Sequence, residues 1–185
     1  MDVLFLILSL LLLVLGWTWF LVPAFYGLPS VHTRRGRIRK ALSMADLKAD
    51  EILYDLGAGD GRVLVIAAKE FGAKAVGIEV GPVQCAAAWL NAAFNGVRHR
   101  VRVKRGDFFK QDLSRAEVVF VYATSRQAVR LEKQLESQLR PGARVVTISF
   151  DFPDWEPAAF DKGELIFLYK MPPQRGDLTS FMGRQ

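Results

Sequence analysis

Short apolar runs alternating with helix-patterned runs constrain this chain more than any other feature. Residues 52–56, 75–80, 101–104, 118–122, 144–150 and 164–170 read as strands. The intervening runs read as helices. One spans 61–71 and stops at Gly72; another starts at Pro82, a favourable first helical residue, and closes at Gly96. Thr124 and Gln127 suggest a capping box for a third, whose Leu131, Leu135 and Leu139 recur every four residues before Pro141-Gly142 stops it. Apolar strands joined by helical crossovers form a mostly parallel sheet covered on both faces, an α/β architecture. Residues 151–163 are too few for another crossover helix, so the last strand is expected to enter antiparallel from a hairpin or loop.

The N-terminus obeys a different rule. Twenty consecutive uncharged residues run from Val3 to Val22; a helix of about 20 residues covers the ~30 Å thickness of a bilayer core. Asp2 is the only early charge, and bulky Trp17, Trp19, Phe20, Phe25 and Tyr26 close the segment. Those features favour an uncleaved anchor with an aromatic belt over a signal peptide. Six basic and two acidic residues lie within 31–50, with Arg34, Arg35, Arg37, Arg39 and Lys40 just after the span. The positive-inside rule then places the C-terminal domain on the cytoplasmic side of a single-pass membrane protein. This cluster fixes topology first, anionic headgroups are its nearest partner, and no nucleic-acid partner is expected. The resulting division is 1–27 transmembrane anchor, 28–49 basic juxtamembrane pre-loop, 50–172 ligand-binding domain and 173–185 polar tail. The single cysteine, Cys85, excludes an internal disulfide and a cysteine-rich zinc site.

The most informative stretch is Tyr54-Asp55-Leu56-Gly57-Ala58-Gly59-Asp60-Gly61-Arg62, between the first predicted strand and its helix. Doubly wound sheets bind nucleotide-like ligands at that turn. A dinucleotide fingerprint counted from Gly57 requires glycine where Arg62 stands, and the lysine of a phosphate-cradling loop is missing. Asp55, two residues before the first glycine, suits a ligand carrying a cationic amine better than a pyrophosphate.

This loop resembles the first motif of class I S-adenosylmethionine-dependent methyltransferases, which implies a Rossmann-like fold and S-adenosyl-L-methionine as cofactor. The resemblance places Asp55, Gly57, Ala58, Gly59 and Gly61 around the cofactor. Glu79, in Gly77-Ile78-Glu79-Val80, matches the acidic residue that binds the ribose hydroxyls. Asp107, in Gly106-Asp107-Phe108-Phe109, matches the position contacting the adenine amino group, with Phe108 beside it. Each carboxylate alone is equally a solvated loop acid or a helix cap, the reading preferred for Asp60. The three in order favour ligand binding.

The same loop, the Asp107-Phe108-Phe109 turn and Phe150-Asp151-Phe152-Pro153-Asp154-Trp155 together resemble the membrane-anchored protein-lysine methyltransferases. Eukaryotic members of that family modify the c-type rotor protein of the mitochondrial ATP synthase and the adenine nucleotide translocase. The implied substrate is a lysine of a protein, including membrane proteins. Family members often have Asn where this chain has Gly81 before Pro82. Methylating lysine requires the neutral amine, and an apolar, aromatic channel lowers its pKa by desolvation. Tyr122, Phe152 and Trp155 are the candidates for lining that channel, with core packing the alternative reading; for Phe150 the core is preferred. Asp151 or Asp154 is placed to orient an ammonium or accept a proton. His32, His99 and Cys85 suggest no chemistry, the first two reading as surface and the last as a small buried hydrophobe. No metal-ligand spacing is present. Two competing functions remain: methylation of a membrane-dissolved lipid or quinone, and a non-catalytic adaptor that keeps the fold.

Overall fold

Main-chain pairing follows the apolar runs. The structure, a computed structural model, describes residues 3–25, 33–123 and 125–183, with side chains placed for all of these except 18–25 and 125. Thr124 of the expected capping box and His32 lie outside the described residues. Five strands, β1 (Ile52–Leu56), β2 (Lys74–Glu79), β3 (Val101–Arg105), β4 (Val118–Val121) and β5 (Arg144–Ile148), form the parallel part of a sheet. After β5 come β6 (Trp155–Glu156), β7 (Ala159–Asp161), β8 (Ile166–Lys170) and β9 (Gln174–Arg175). The seven-stranded sheet has the order β3-β2-β1-β4-β5-β8-β7, with β8 antiparallel to β5 and to β7. The antiparallel last strand expected from the short 151–163 segment is thus delivered by a β7–β8 hairpin.

Of the helices, α1 (Val3–Phe25) and α2 (Arg35–Met44) precede the sheet, while α3 (Arg62–Glu70) and α4 (Pro82–Phe94) connect β1 to β2 and β2 to β3. Between β3 and β4 the described residues form only a 3-10 turn, Phe108–Lys110. Helix α5 (Ser125–Gln138) joins β4 to β5, and α6 (Leu178–Met182) ends the described chain. Strand alternation divides the core in two. On one face Tyr54 and Leu56 pack with Leu131 and Leu135 of α5 and with Leu139 just after it. On the other, Leu53 packs with α2 and α3.

Helix α2 changes the expected domain division. Ile38, Ala41, Leu42 and Ala45 are fully buried in the same cluster as Leu64 and Val146. The pre-loop helix therefore belongs to the core, and the domain begins before residue 50. Its cations are largely engaged within the fold. Arg39 pairs with Glu70 at 2.7 Å, Lys40 with Asp161, and Arg37 with the Glu164 carbonyl, while Arg34 and Arg35 remain exposed. The expected polar tail is also structured: β9 pairs antiparallel with β6, Leu178 packs against the core, and the Asp177 side chain caps α6 by accepting from the Ser180 amide at 2.8 Å.

Helix α1 stands apart from this core. Its backbone is helical over 23 residues, its described side chains from Val3 to Trp17 are exposed, and it touches α4. Those described side chains are fewer than the about 20 apolar residues of a span; among the described residues no helix is long and apolar enough to cross a membrane.

Candidate active site

The strand order reverses between β1 and β4, and ligands of open α/β sheets sit at the carboxyl ends of strands at such a point. Asp55, Glu79 and Asp107 all lie there: Asp55 within the end of β1, Glu79 as the last residue of β2, Asp107 two residues after β3. The loop between β1 and α3 is closed by its own main chain. The Gly57 and Ala58 amides both donate to the Ile78 carbonyl, at 2.9 and 3.1 Å, and the Gly61 amide donates to the Ala58 carbonyl at 2.8 Å. Gly61 adopts a φ of 75°, and a Cβ there would stand 2.8 Å from Cβ of Ala88 on α4. Gly77 is needed for close approach as well, since a Cβ would lie 2.6 Å from Leu64 and 2.8 Å from Ala58.

Glu79 is buried and does more than await a ligand. Its Oε2 accepts from the Gly59 amide and its Oε1 from the Gly81 amide, both at 2.9 Å. The carboxylate thus fastens the loops after β1 and β2 to one another. Its own carbonyl accepts from the Gly106 amide at 2.8 Å, extending the same tie to the loop after β3. Half-buried Asp107 caps the 3-10 turn, accepting from the Phe109 amide at 2.9 Å, while Phe108 beside it is buried. Cys85 is half-buried rather than buried. Its thiol contacts the Glu79 carbonyl oxygen at 3.4 Å, and burial and then the Glu79 charge push it up to about 11.

Asp55 carries the clearest sign of a missing partner. It is buried, and its Oδ2 has no hydrogen-bond partner among the described residues. Burial first, then the like charges of Glu79 and Asp60, hold its carboxyl well above the ordinary range. A cation seated there would relieve both penalties. The cationic amino group of S-adenosyl-L-methionine meets that requirement, and at Gly59 no atom lies within 4 Å of where a Cβ would stand, leaving an open approach. Among the described residues no group of three His, Cys, Asp or Glu is arranged to hold a metal ion.

Two of the residues expected to shape an acceptor channel pack elsewhere. Phe152 and Trp155 are fully buried, with ring centroids 4.6 Å apart and 5.1 and 5.8 Å from Tyr169. They close the core with Phe150, and the Tyr169 hydroxyl accepts from the Phe152 amide at 3.1 Å. Asp151 is half-buried in the loop after β5. Asp154 is exposed, and its amide donates to buried Glu132 at 3.0 Å. Tyr122 alone of the aromatic candidates reaches an open recess, of about 370 Å³, lined also by Thr33, Arg34, Arg37, Ser149 and Glu164. Tyr122 and Ser149 directly follow β4 and β5, so the recess opens at the ligand end of the sheet.

Two arginines that sequence reasoning gave no site role support this region: Arg37 lines the recess, and Arg62 holds Thr33 of its lining. Arg37 donates to the Glu164 carbonyl at 2.7 Å and to the Ser149 hydroxyl at 2.9 Å, 6.0 Å from the Tyr122 ring centre. Arg62 binds the Asp60 carboxylate at 2.6 Å and the Thr33 carbonyl at 3.1 Å, pinning the pre-loop to the glycine loop. Asp60 is thus ion-paired with Arg62 and half-buried, where the sequence suggested a solvated loop acid or a helix cap. The Arg37 contacts link residues 127 apart in the chain, so no local spacing announces them. Arg62 was visible only as the residue breaking a dinucleotide fingerprint.

Comparison with known proteins agrees with this geometry. A sequence profile described as the ANTKMT methyltransferase domain matches residues 55–159. The chain is 39% identical over 137 residues to a protein-lysine N-methyltransferase of Saccharolobus islandicus (strain REY15A), covering 74% of this chain and 85% of that protein. It is 33% identical over 139 residues to the adenine nucleotide translocase lysine N-methyltransferase of Mus musculus, covering 75% of this chain but only 60% of that relative. The crystal structure of an RNA methyltransferase from Salinibacter ruber in complex with S-adenosyl-L-homocysteine superposes with a TM-score of 0.75 at 35% identity, covering 79% of this chain and 97% of the other. Strand order, the orphaned carboxylate of Asp55 and these matches converge: the chain belongs to the ANTKMT methyltransferase family and is an S-adenosylmethionine-dependent methyltransferase.

Proposed function

We propose that the protein methylates lysine side chains of a protein substrate at a membrane to which α1 anchors it. The observation that carries the transferase reading is the buried Asp55 carboxylate, whose Oδ2 has no partner among the described residues, beside a Glu79-tied glycine loop. The lysine reading draws support from the protein-lysine relative at 39% identity and from the translocase-modifying relative at 33%. When bound, the cofactor supplies an electrophilic methyl group on a sulfonium. The chain supplies position. Asp55 takes the amine end, Glu79 and Asp107 the ribose and adenine ends, and the Arg37–Tyr122 recess admits the acceptor at the carboxyl edge of β4 and β5. Alignment of this kind lowers the barrier without a covalent intermediate and contributes up to about 7–11 kcal/mol where the geometry is ideal. The amine must arrive neutral; the partly apolar recess disfavours its protonated form.

Anchoring rests on the uncharged, largely apolar run from Val3 to Val22 and the helical backbone of α1. The basic residues Arg34 and Arg35, exposed just beyond it, favour a domain on the cytoplasmic side. The test is incubation of membranes containing the full chain with radiolabelled S-adenosylmethionine, followed by separation of protein, lipid and RNA. Label on protein lysine supports the proposal. Label confined to lipid or RNA contradicts the lysine reading, and cofactor binding without any transfer favours the adaptor.

A further inference from the structure

Helix α4 carries an apolar outer face that stays exposed among the described residues. None of the residues from Pro82 to Phe94 is charged. Its inward positions Gln84, Ala88 and Ala92 are buried against the rest of the fold. Its outward positions, Ala86, Trp89, Leu90, Ala93 and Phe94, recur at the three- and four-residue spacing of one helical stripe. Phe94 is 87% exposed, and Trp89 and Leu90 are each 45% exposed. Solvated helices place charge on this side, and a contiguous exposed apolar stripe marks an interaction surface.

Two observations identify the occupant. Helix α4 touches the element read above as the membrane anchor, α1, and its Phe94 stays open. Its border is basic: the Arg98 guanidinium sits 4.7 Å from the Trp89 ring centre, and exposed His99 follows. On the same face of the sheet, beyond α3, α2 exposes Arg34, its N-terminal cap residue, and Arg35. Tryptophan and phenylalanine rimmed by arginine match the boundary between acyl chains and anionic headgroups. A second copy of the chain would bury the stripe equally well but would gain nothing from the basic rim.

We infer that the outer face of α4 rests in the interfacial layer of an anionic bilayer, docking the domain flat beside its anchor. The inference rests on reading α1 as an anchor. Docking of this kind restrains how the Arg37–Tyr122 recess meets a substrate presented at the same membrane.

The test uses the full chain with Cys85→Ala and an environment-sensitive fluorophore on Phe94→Cys, in vesicles of phosphatidylcholine and phosphatidylglycerol. A second variant carries the label on Lys133→Cys, an exposed position on α5. Flotation measures vesicle binding in each case. The expected result is flotation, a blue-shifted label at 94 that loses most of its emission to brominated lipid, and a label at 133 quenched only by aqueous iodide. Equal iodide quenching at 94 and 133 in floating protein overturns the docking while leaving the anchor intact. A label at 94 shielded from both quenchers overturns it in favour of α1 or a second copy as the cover. Failure to float removes anchor and docking together. Introducing negative charge by Phe94→Asp with Trp89→Asp checks the result without a label at 94: the docking requires release of lipid contact by a label at Arg98→Cys as well, and unchanged contact there overturns it.

Discussion

Helices α4 and α5 are crossovers on opposite faces of one sheet, yet their outer sides differ in kind. Helix α5 exposes Lys133 and Glu136 and sinks Leu131 and Leu135 into the core, so its apolar stripe is mostly its buried one, with Val129 the exposed exception. Helix α4 buries small residues and exposes large apolar ones. A helix with one apolar stripe tells a reader which side faces inward; a helix apolar all round does not. The inner side of α4 is narrow because it must approach the glycine loop, with Ala88 set where a Cβ on Gly61 would collide. The demand of the cofactor site for small residues thus leaves the bulk of α4 on the outside.

That contrast is open to direct attack. The largest effect concerns the face that α4 shares with α2. Deleting residues 1–49 strips Ile38 and Leu42 from the core, each worth about 1.5–3 kcal/mol of burial, and chemical denaturation should show loss of cooperative folding. Deleting only residues 1–30 should leave the denaturation midpoint in place. Next, Leu135→Ala on the buried side of α5 should cost about 2–5 kcal/mol. Ala88→Leu on the buried side of α4 should cost about 1–3 kcal/mol by overpacking, and calorimetry should show cofactor binding lost with it because Gly61 is pushed. Phe94→Ser should change stability by no more than about 0.5 kcal/mol, in line with surface substitutions. Lys133→Ala should change it least. A Phe94→Ser cost comparable to that of Leu135→Ala would erase the distinction between the two helices.

Local signals made much of this legible. The strands of the parallel sheet and the helix stops at Gly72 and Gly96 follow from periodicity and short spacing, which depend on neighbours within a few residues, while Glu79 and Asp107 were singled out by the family resemblance. What escaped depends on distance. Arg34 to Lys40 read as a juxtamembrane charge cluster because their partners, Glu70, Asp161 and the Glu164 carbonyl, come from remote segments. Ile38, Leu42 and Ala45 already read as one side of a short basic helix over 37–47, but its cations set that helix beside the membrane and outside the core that buries it. Phe152 and Trp155 sit at the ligand end of the chain's order, but Tyr169 draws them into the core. The polar tail gained structure through a two-residue pairing, Trp155 with Arg175 and Glu156 with Gln174, too short to leave a periodic trace.

The central claim is that Asp55 waits, buried and unpartnered, for the cationic end of the methyl donor. In the free protein its raised pKa keeps the carboxyl protonated at pH values where an ordinary aspartate is ionised. Binding a cation favours the ionised form, so complex formation should release a proton, and affinity should rise with pH until Asp55 is ionised before binding. Titration calorimetry of S-adenosylmethionine, across pH and in buffers of different ionisation enthalpy, measures that proton directly. The account predicts proton release and pH-dependent affinity in the native chain, with weak, pH-independent binding in Asp55→Asn. Tight binding by Asp55→Asn with an unchanged pH profile would contradict it.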